Sequence, residues 1–223
     1  DWERPAARMS ETLDALRPIL EGERSAFEGD LVRTSGFRLR SPAPETRITV
    51  AAFGPAMTRV AAAKGDAVVL NLVSPGHVDR TREVIAAEAS RRGRPAPPIA
   101  VWIPVALDPG PATLRQLSEQ VAVYLAPPGY GEMFASLGFG ELVDRARGGE
   151  RRAELAASVP RELLERVCAL GGADEIRARL DEYRDAGVER VSVIPATAEV
   201  PAGARVLEAL APAPDRAIGE RTR

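Results

Sequence analysis

Few residues of this chain could carry chemistry, and each has a plain structural reading beside a functional one. His77 is the only histidine. An imidazole titrates near neutral pH and suits general acid–base work. No aspartate or second histidine is evident to orient it, and its place just after Pro75 equally fits a solvated helix start. It is the one candidate for a catalytic side chain, whose identity the sequence leaves unknown. Cys168, the only cysteine, lies in LLERVCALGG at helical apolar spacing and reads as a core residue rather than a nucleophile. One histidine and one cysteine make no metal-ligand cluster, so no metal site is expected.

Backbone chemistry is more promising. In Ala52-Phe53-Gly54-Pro55 an extended run ends, a glycine removes the side chain that would block close approach, and a proline is preset for a first helical turn. Free N–H groups at such a helix start suit an anion; the same residues also describe an ordinary tight turn. Leu70 and Asn71 close the next extended run, where a buried amide must find a partner in a ligand or a neighbouring loop. Tyr124, Tyr130, Met133, Phe134 and Phe139 concentrate in a chain that is only 4% aromatic. Such a cluster lines a pocket for an apolar substrate, or forms a small core beneath a long connection.

The elements that must position these residues repeat. Pro5 to Leu20 has Met9, Leu13, Leu16 and Leu20 at three- and four-residue spacing, which predicts an amphipathic helix stopped at Gly22. Phe27 to Leu39 predicts a hairpin of FEGDLVR and FRLR broken at Ser35-Gly36. Then come four strand-like runs, Ile48–Ala52, Ala67–Val73, Ile99–Ala106 and Arg190–Pro195, separated by Gly or Pro breaks and helical stretches. Strands alternating with helices imply parallel βαβ units buried on both faces. Between the third and fourth runs lies a helix-rich stretch far longer than an ordinary βα connection, which suggests a substrate-side insertion.

Composition bounds the rest. The chain has 223 residues, is 45% hydrophobic and carries a formal net charge of -2, enough apolar material for a core and no global positive field for nucleic acid. No apolar run approaches the roughly 20 residues of a membrane helix, and the lone cysteine suits a reducing compartment. A cytoplasmic protein is expected. No methionine precedes Met9, which suggests a fragment. Arginine replaces lysine everywhere except Lys64, which suggests a GC-rich genome such as an actinobacterial one.

The segment Thr49 to Val78, TVAAFGPAMTRVAAAKGDAVVLNLVSPGHV, resembles the fifth and sixth barrel strands of the luciferase-like monooxygenase superfamily, in its branch dependent on coenzyme F420. The shared residues are Ala51, Ala52, Gly54, Pro55, Gly65, Asp66, Ser74 and Pro75. RMSETLDALRPILEGE and FEGDLVRTSGFRLRSP resemble the family's helix and hairpin before that strand, and GGADEIRARLDEYRDAGVERVSVIP its last helix and strand. The resemblance spans Pro5 to Leu210. It implies a (β/α)8 TIM barrel of the bacterial-luciferase type, of which this chain covers roughly the second half, strands 5 to 8, plus a helical insertion at about 111–172. Residues 1–211 would be the C-terminal part of that single domain and 212–223 a disordered tail. The family's first four strands are missing, so two open parallel edges are expected, with the catalytic residues upstream of Asp1.

The resemblance also implies an oxidoreductase that transfers a hydride between coenzyme F420 and an unidentified organic substrate, the cofactor carrying the chemistry. An FMN-dependent monooxygenase of the same superfamily is the alternative, and a cofactor-free relative with a binding or structural role a second one. On this reading Ala52, Phe53, Gly54 and Pro55 meet the phosphate and ribityl end of the deazaflavin, and Leu70 and Asn71 also touch it. Tyr130, Met133 and Phe134 line the substrate pocket. RARGGERR, Arg145 to Arg152, reaches the coenzyme's acidic tail or is a solvated face. The resemblance implies a homodimer as well.

Overall fold

The computed structural model describes residues 4–211. Its elements are α1 (Pro5–Leu20), β1 (Thr49–Ala51), α2 (Gly54–Lys64), β2 (Ala67–Asn71), α3 (Pro75–Arg91) and β3 (Ile99–Leu107). A helical insertion follows, α4 (Pro111–Ala122), α5 (Tyr130–Phe134), α6 (Gly140–Arg147), α7 (Arg152–Ser158) and α8 (Arg161–Val167). The chain then runs through β4 (Ala169–Gly171), α9 (Ala173–Asp185), β5 (Arg190–Pro195) and α10 (Ala204–Leu210). The tail expected at 212–223 lies outside the described residues.

The four expected strands are present and parallel, with Thr49 opposite Ala67, Val68 opposite Ile99 and Ala100 opposite Arg190. Register also fixes their order. Val101 pairs with Leu70 and with Val191, so β2 and β5 lie on opposite edges of β3. Val105 pairs with Ala169 and with Pro195, so β4 continues along the β2 edge, beyond the end of β2. The sheet therefore reads β1-β2-β3-β5, with β4 set above β2 at the carboxyl ends.

One face of this sheet is dry. Val50, Val68, Leu70, Val101, Ile103 and Val105 are at most 3% exposed, each contributing about 1.5–3 kcal/mol by burial. They pack against the helices, where Ala61 and Ala62 of α2 are 0% exposed and their small side chains allow close approach. The other face carries Thr49, Ala67, Val69, Ala100, Trp102, Arg190 and Ser192 around a hollow of about 440 Å³. Trp102 and Ile194 there are 47% and 39% exposed.

Two local expectations are corrected. Helical spacing reads through LLERVCALGG, but the helix stops at Val167 and Ala169–Gly171 extends as β4, because its backbone finds partners on β3 at Val105–Leu107. The hairpin reverses at Gly29–Val32 rather than at Ser35-Gly36. The Glu11 carboxylate of α1 accepts the Leu31 and Val32 N–H groups at 2.8 and 2.9 Å, and so holds the reversal there. At the amino ends of the strands Asp66 ties three elements together, accepting the Ile48 N–H at 2.7 Å and the Arg17 guanidinium at 2.9 Å. Burial works against its charge, yet these donors hold its pKa below the usual value.

Candidate functional site

The carboxyl ends of β1 and β2 meet the insertion in an aromatic column. Phe53, which follows β1, stacks on Tyr130 of α5 at 3.9 Å between ring centroids and on His77 of α3 at 4.8 Å. Tyr124 leans on Tyr130 at 4.7 Å, and the Tyr130 hydroxyl donates to the Asn71 carbonyl at 3.0 Å. Beside this column runs a groove of about 920 Å³ lined by Phe53, Gly54, Met57, His77, Arg80 and Met133 among others.

Gly54 opens the groove. Its φ of +74° suits glycine, and a Cβ built there would meet no atom within 4 Å. The space beside the first turn of α2 is therefore free for a ligand. That helix start has no side-chain cap, whereas the Ser74 hydroxyl caps α3 by accepting from the His77 N–H. The first-turn N–H groups of α2 are therefore left without a side-chain acceptor at the positive end of the helix dipole, an arrangement suited to a phosphate. Arg80 lines the same groove.

Electrostatics narrow what the side chains can do. Burial, reinforced by Arg80, pushes the His77 pKa down to about 4, so at neutral pH the ring is uncharged. Burial pushes the Tyr130 hydroxyl up to about 12, so it stays a hydrogen-bond donor. Cys168 is buried with its thiol also raised to about 12, which suits packing and not nucleophilic attack.

The expected site residues separate into groups. Phe53, Gly54, Pro55 and His77 come together at the groove, with Ala52 buried just beneath. Asn71 contributes its carbonyl to Tyr130, while Leu70 is 1% exposed and faces the helices. Met133 reaches the groove, but Phe134 is fully buried in the hydrophobic core. Arg145, Arg147 and Arg151 pair with Glu150, Glu132 and Glu154, inside the insertion. Gly129 was missed by sequence reading. A Cβ there would stand 2.7 Å from the Phe53 ring, so its absence lets the column form.

A parallel sheet with helices after its strands, and a groove at their carboxyl ends, define an α/β protein of TIM-barrel-like construction. Residues 1–190 match the family model described as luciferase-like monooxygenase, and the chain belongs to that family. Two curated relatives are 5,10-methylenetetrahydromethanopterin reductases. The one from Methanolobus tindarius is 23% identical over 197 residues, and the one from Archaeoglobus fulgidus is 25% identical over 200. Each match covers 85% of this chain and 60% of the relative, so the chain spans about 60% of the length of these proteins. The solved coenzyme F420-dependent tetrahydromethanopterin reductase from Methanopyrus kandleri superposes with a TM-score of 0.73 at 19% identity. That match covers 92% of this chain and 61% of that one, a likeness of fold.

Proposed function

We propose that this chain forms the cofactor-phosphate side of an oxidoreductase that exchanges a hydride between coenzyme F420 and a small organic substrate. The observation that carries this reading is the vacant space and uncapped helix start at Gly54. The similar Methanopyrus kandleri reductase is named as dependent on coenzyme F420, which favours F420 over other phosphorylated cofactors. When bound, the deazaflavin would supply the hydride chemistry. Gly54 and Ala56 would hold its phosphate by backbone N–H groups, with Phe53 as a side wall and Pro55 setting the turn. Met133 would contact the substrate end from the insertion. His77 is uncharged at working pH, so it adds no positive charge to the groove.

The same reading places β1, β2, β3 and β5 as the second half of an eight-stranded barrel within one domain, residues 1–211, with 111–172 as its insertion. The exposed inner face with Trp102 supports it. Homodimeric assembly belongs to this reading through the family resemblance, and a cytoplasmic location through the lone cysteine.

FMN also carries a phosphate, so the test has two arms. The whole protein, with any flanking sequence its gene encodes, is titrated separately with F420 and FMN while ligand fluorescence is followed. Saturable quenching by F420 at micromolar or lower concentration, and not by FMN, is the expected result. Preference for FMN would turn the reading to the monooxygenase, and no response to either would sink it.

A further inference from the structure

Tyr130 lies in the insertion, yet its contacts are to the ends of the two strands that shape the groove. Its ring stacks on Phe53 at 3.9 Å, two residues after β1, and its hydroxyl donates to the carbonyl of Asn71, the last residue of β2, at 3.0 Å. The carbonyl belongs to a strand end followed by Leu72, whose φ of +50° is unusual for a branched side chain and must be held by its surroundings. Gly129 leaves room for the Phe53 ring, and Tyr124 and Phe134 back the Tyr130 ring at 4.7 and 6.4 Å. One side chain therefore fixes the two strand ends against each other.

The geometry points to Tyr130 as a positioning residue that sets the Phe53 wall and the Asn71–Leu72 strand end for ligand binding, rather than as a lining of the substrate pocket. This rests on the cofactor reading given above, because the groove it shapes is the one assigned to F420. A stacked ring and a buried hydrogen bond act together here. Phenylalanine at this position would keep the stack and lose the bond, and leucine would lose both. The hydroxyl keeps its proton across the working pH range, so the clamp is not a pH switch.

The test compares the whole protein with its Tyr130→Phe and Tyr130→Leu variants, with Leu163→Ala in the insertion core as a control for plain destabilisation. Dissociation constants for F420 are measured well below each melting temperature, alongside amide hydrogen exchange without ligand. Affinity is expected to fall about five-fold for Tyr130→Phe and more than ten-fold for Tyr130→Leu, roughly what one buried hydrogen bond and then a stacked pair are worth. Exchange should rise at residues 53–57 and 71–77, and not in β3 or β5. Leu163→Ala should melt earlier and bind normally. Unchanged affinity in both Tyr130 variants, or exchange that rises evenly over the whole sheet, would overturn the assignment. If the unmodified protein binds no F420, the cofactor reading fails by itself. The exchange pattern then decides: a rise confined to the two segments upholds the clamp, and its absence overturns it.

Discussion

Gly54 combines two demands that substitution can separate. Its φ of +74° strains any side-chain-bearing residue, by about 1–2 kcal/mol for a single left-handed position, whether the side chain is small or large. The space around a Cβ there is empty, so size alone should cost the apoprotein little. Gly54→Ala and Gly54→Leu are therefore expected to melt within a few degrees of each other. Ligand affinity should separate them, with the leucine variant at least ten-fold weaker because its side chain enters the path to the α2 helix start. Equal affinity would show that nothing approaches there. At this scale the Gly-Pro turn was legible in the sequence, since glycine before a helix-starting proline has a local physical meaning. The fate of the aromatics was not legible. Phe53 and Tyr130 are far apart in the chain, and only the folded sheet brings them to 3.9 Å. His77 could be read as a titrating base from its type alone; burial, a tertiary matter, with Arg80 one turn along α3 adding to it, takes its pKa to about 4.

Elements were easiest to foresee where the chain punctuates itself. Each long strand ends at a Gly or Pro break, and α3 starts at Ser74-Pro75, where the serine hydroxyl caps the helix. The strand β4 escaped because three residues carry no period of their own and are extended only by pairing with β3. Another contact invisible in the sequence fastens the segment after β5 to the start of α4. Glu199 accepts the Gly110 N–H at 2.9 Å, the Ala112 N–H at 3.2 Å and the Thr113 hydroxyl at 2.8 Å. The Thr113 hydroxyl and these N–H groups hold its folded pKa below the ordinary carboxylate value. A depressed carboxylate pKa means the unfolded chain takes up the proton first, so the stabilisation is present above the unfolded value and fades as pH falls through the folded one. Glu199→Ala should lower the melting temperature at pH 7 and quicken amide exchange at 196–200. At acid pH, below the folded pKa of Glu199, the variant and the parent should converge. A difference that stays constant down to that pH would place the effect in packing instead of charge.

At the scale of the molecule the sheet has one satisfied face and one that water reaches. A parallel sheet is ordinarily covered on both sides. Here Trp102 and Ile194 lie 47% and 39% exposed on the open face, around a hollow bounded by Arg190 and Ser192. The outer edges of β1 and β5 have no strand partner among the described residues. Both features invite association, since open edges template further pairing and an exposed apolar face gains by being covered. The solved Methanopyrus kandleri reductase, of which this chain covers 61%, superposes on it with a TM-score of 0.73, and in a closed barrel such a face would point inward. Residues 1–223 expressed alone should therefore self-associate or precipitate at micromolar concentration and melt broadly. A form extended by further barrel strands should be soluble and bury Trp102, with blue-shifted tryptophan emission. Light scattering and fluorescence on the two proteins check this directly. A monodisperse, cooperatively melting monomer from residues 1–223 alone would mean that the open face is stable in water, and the half-barrel reading would then have to be given up.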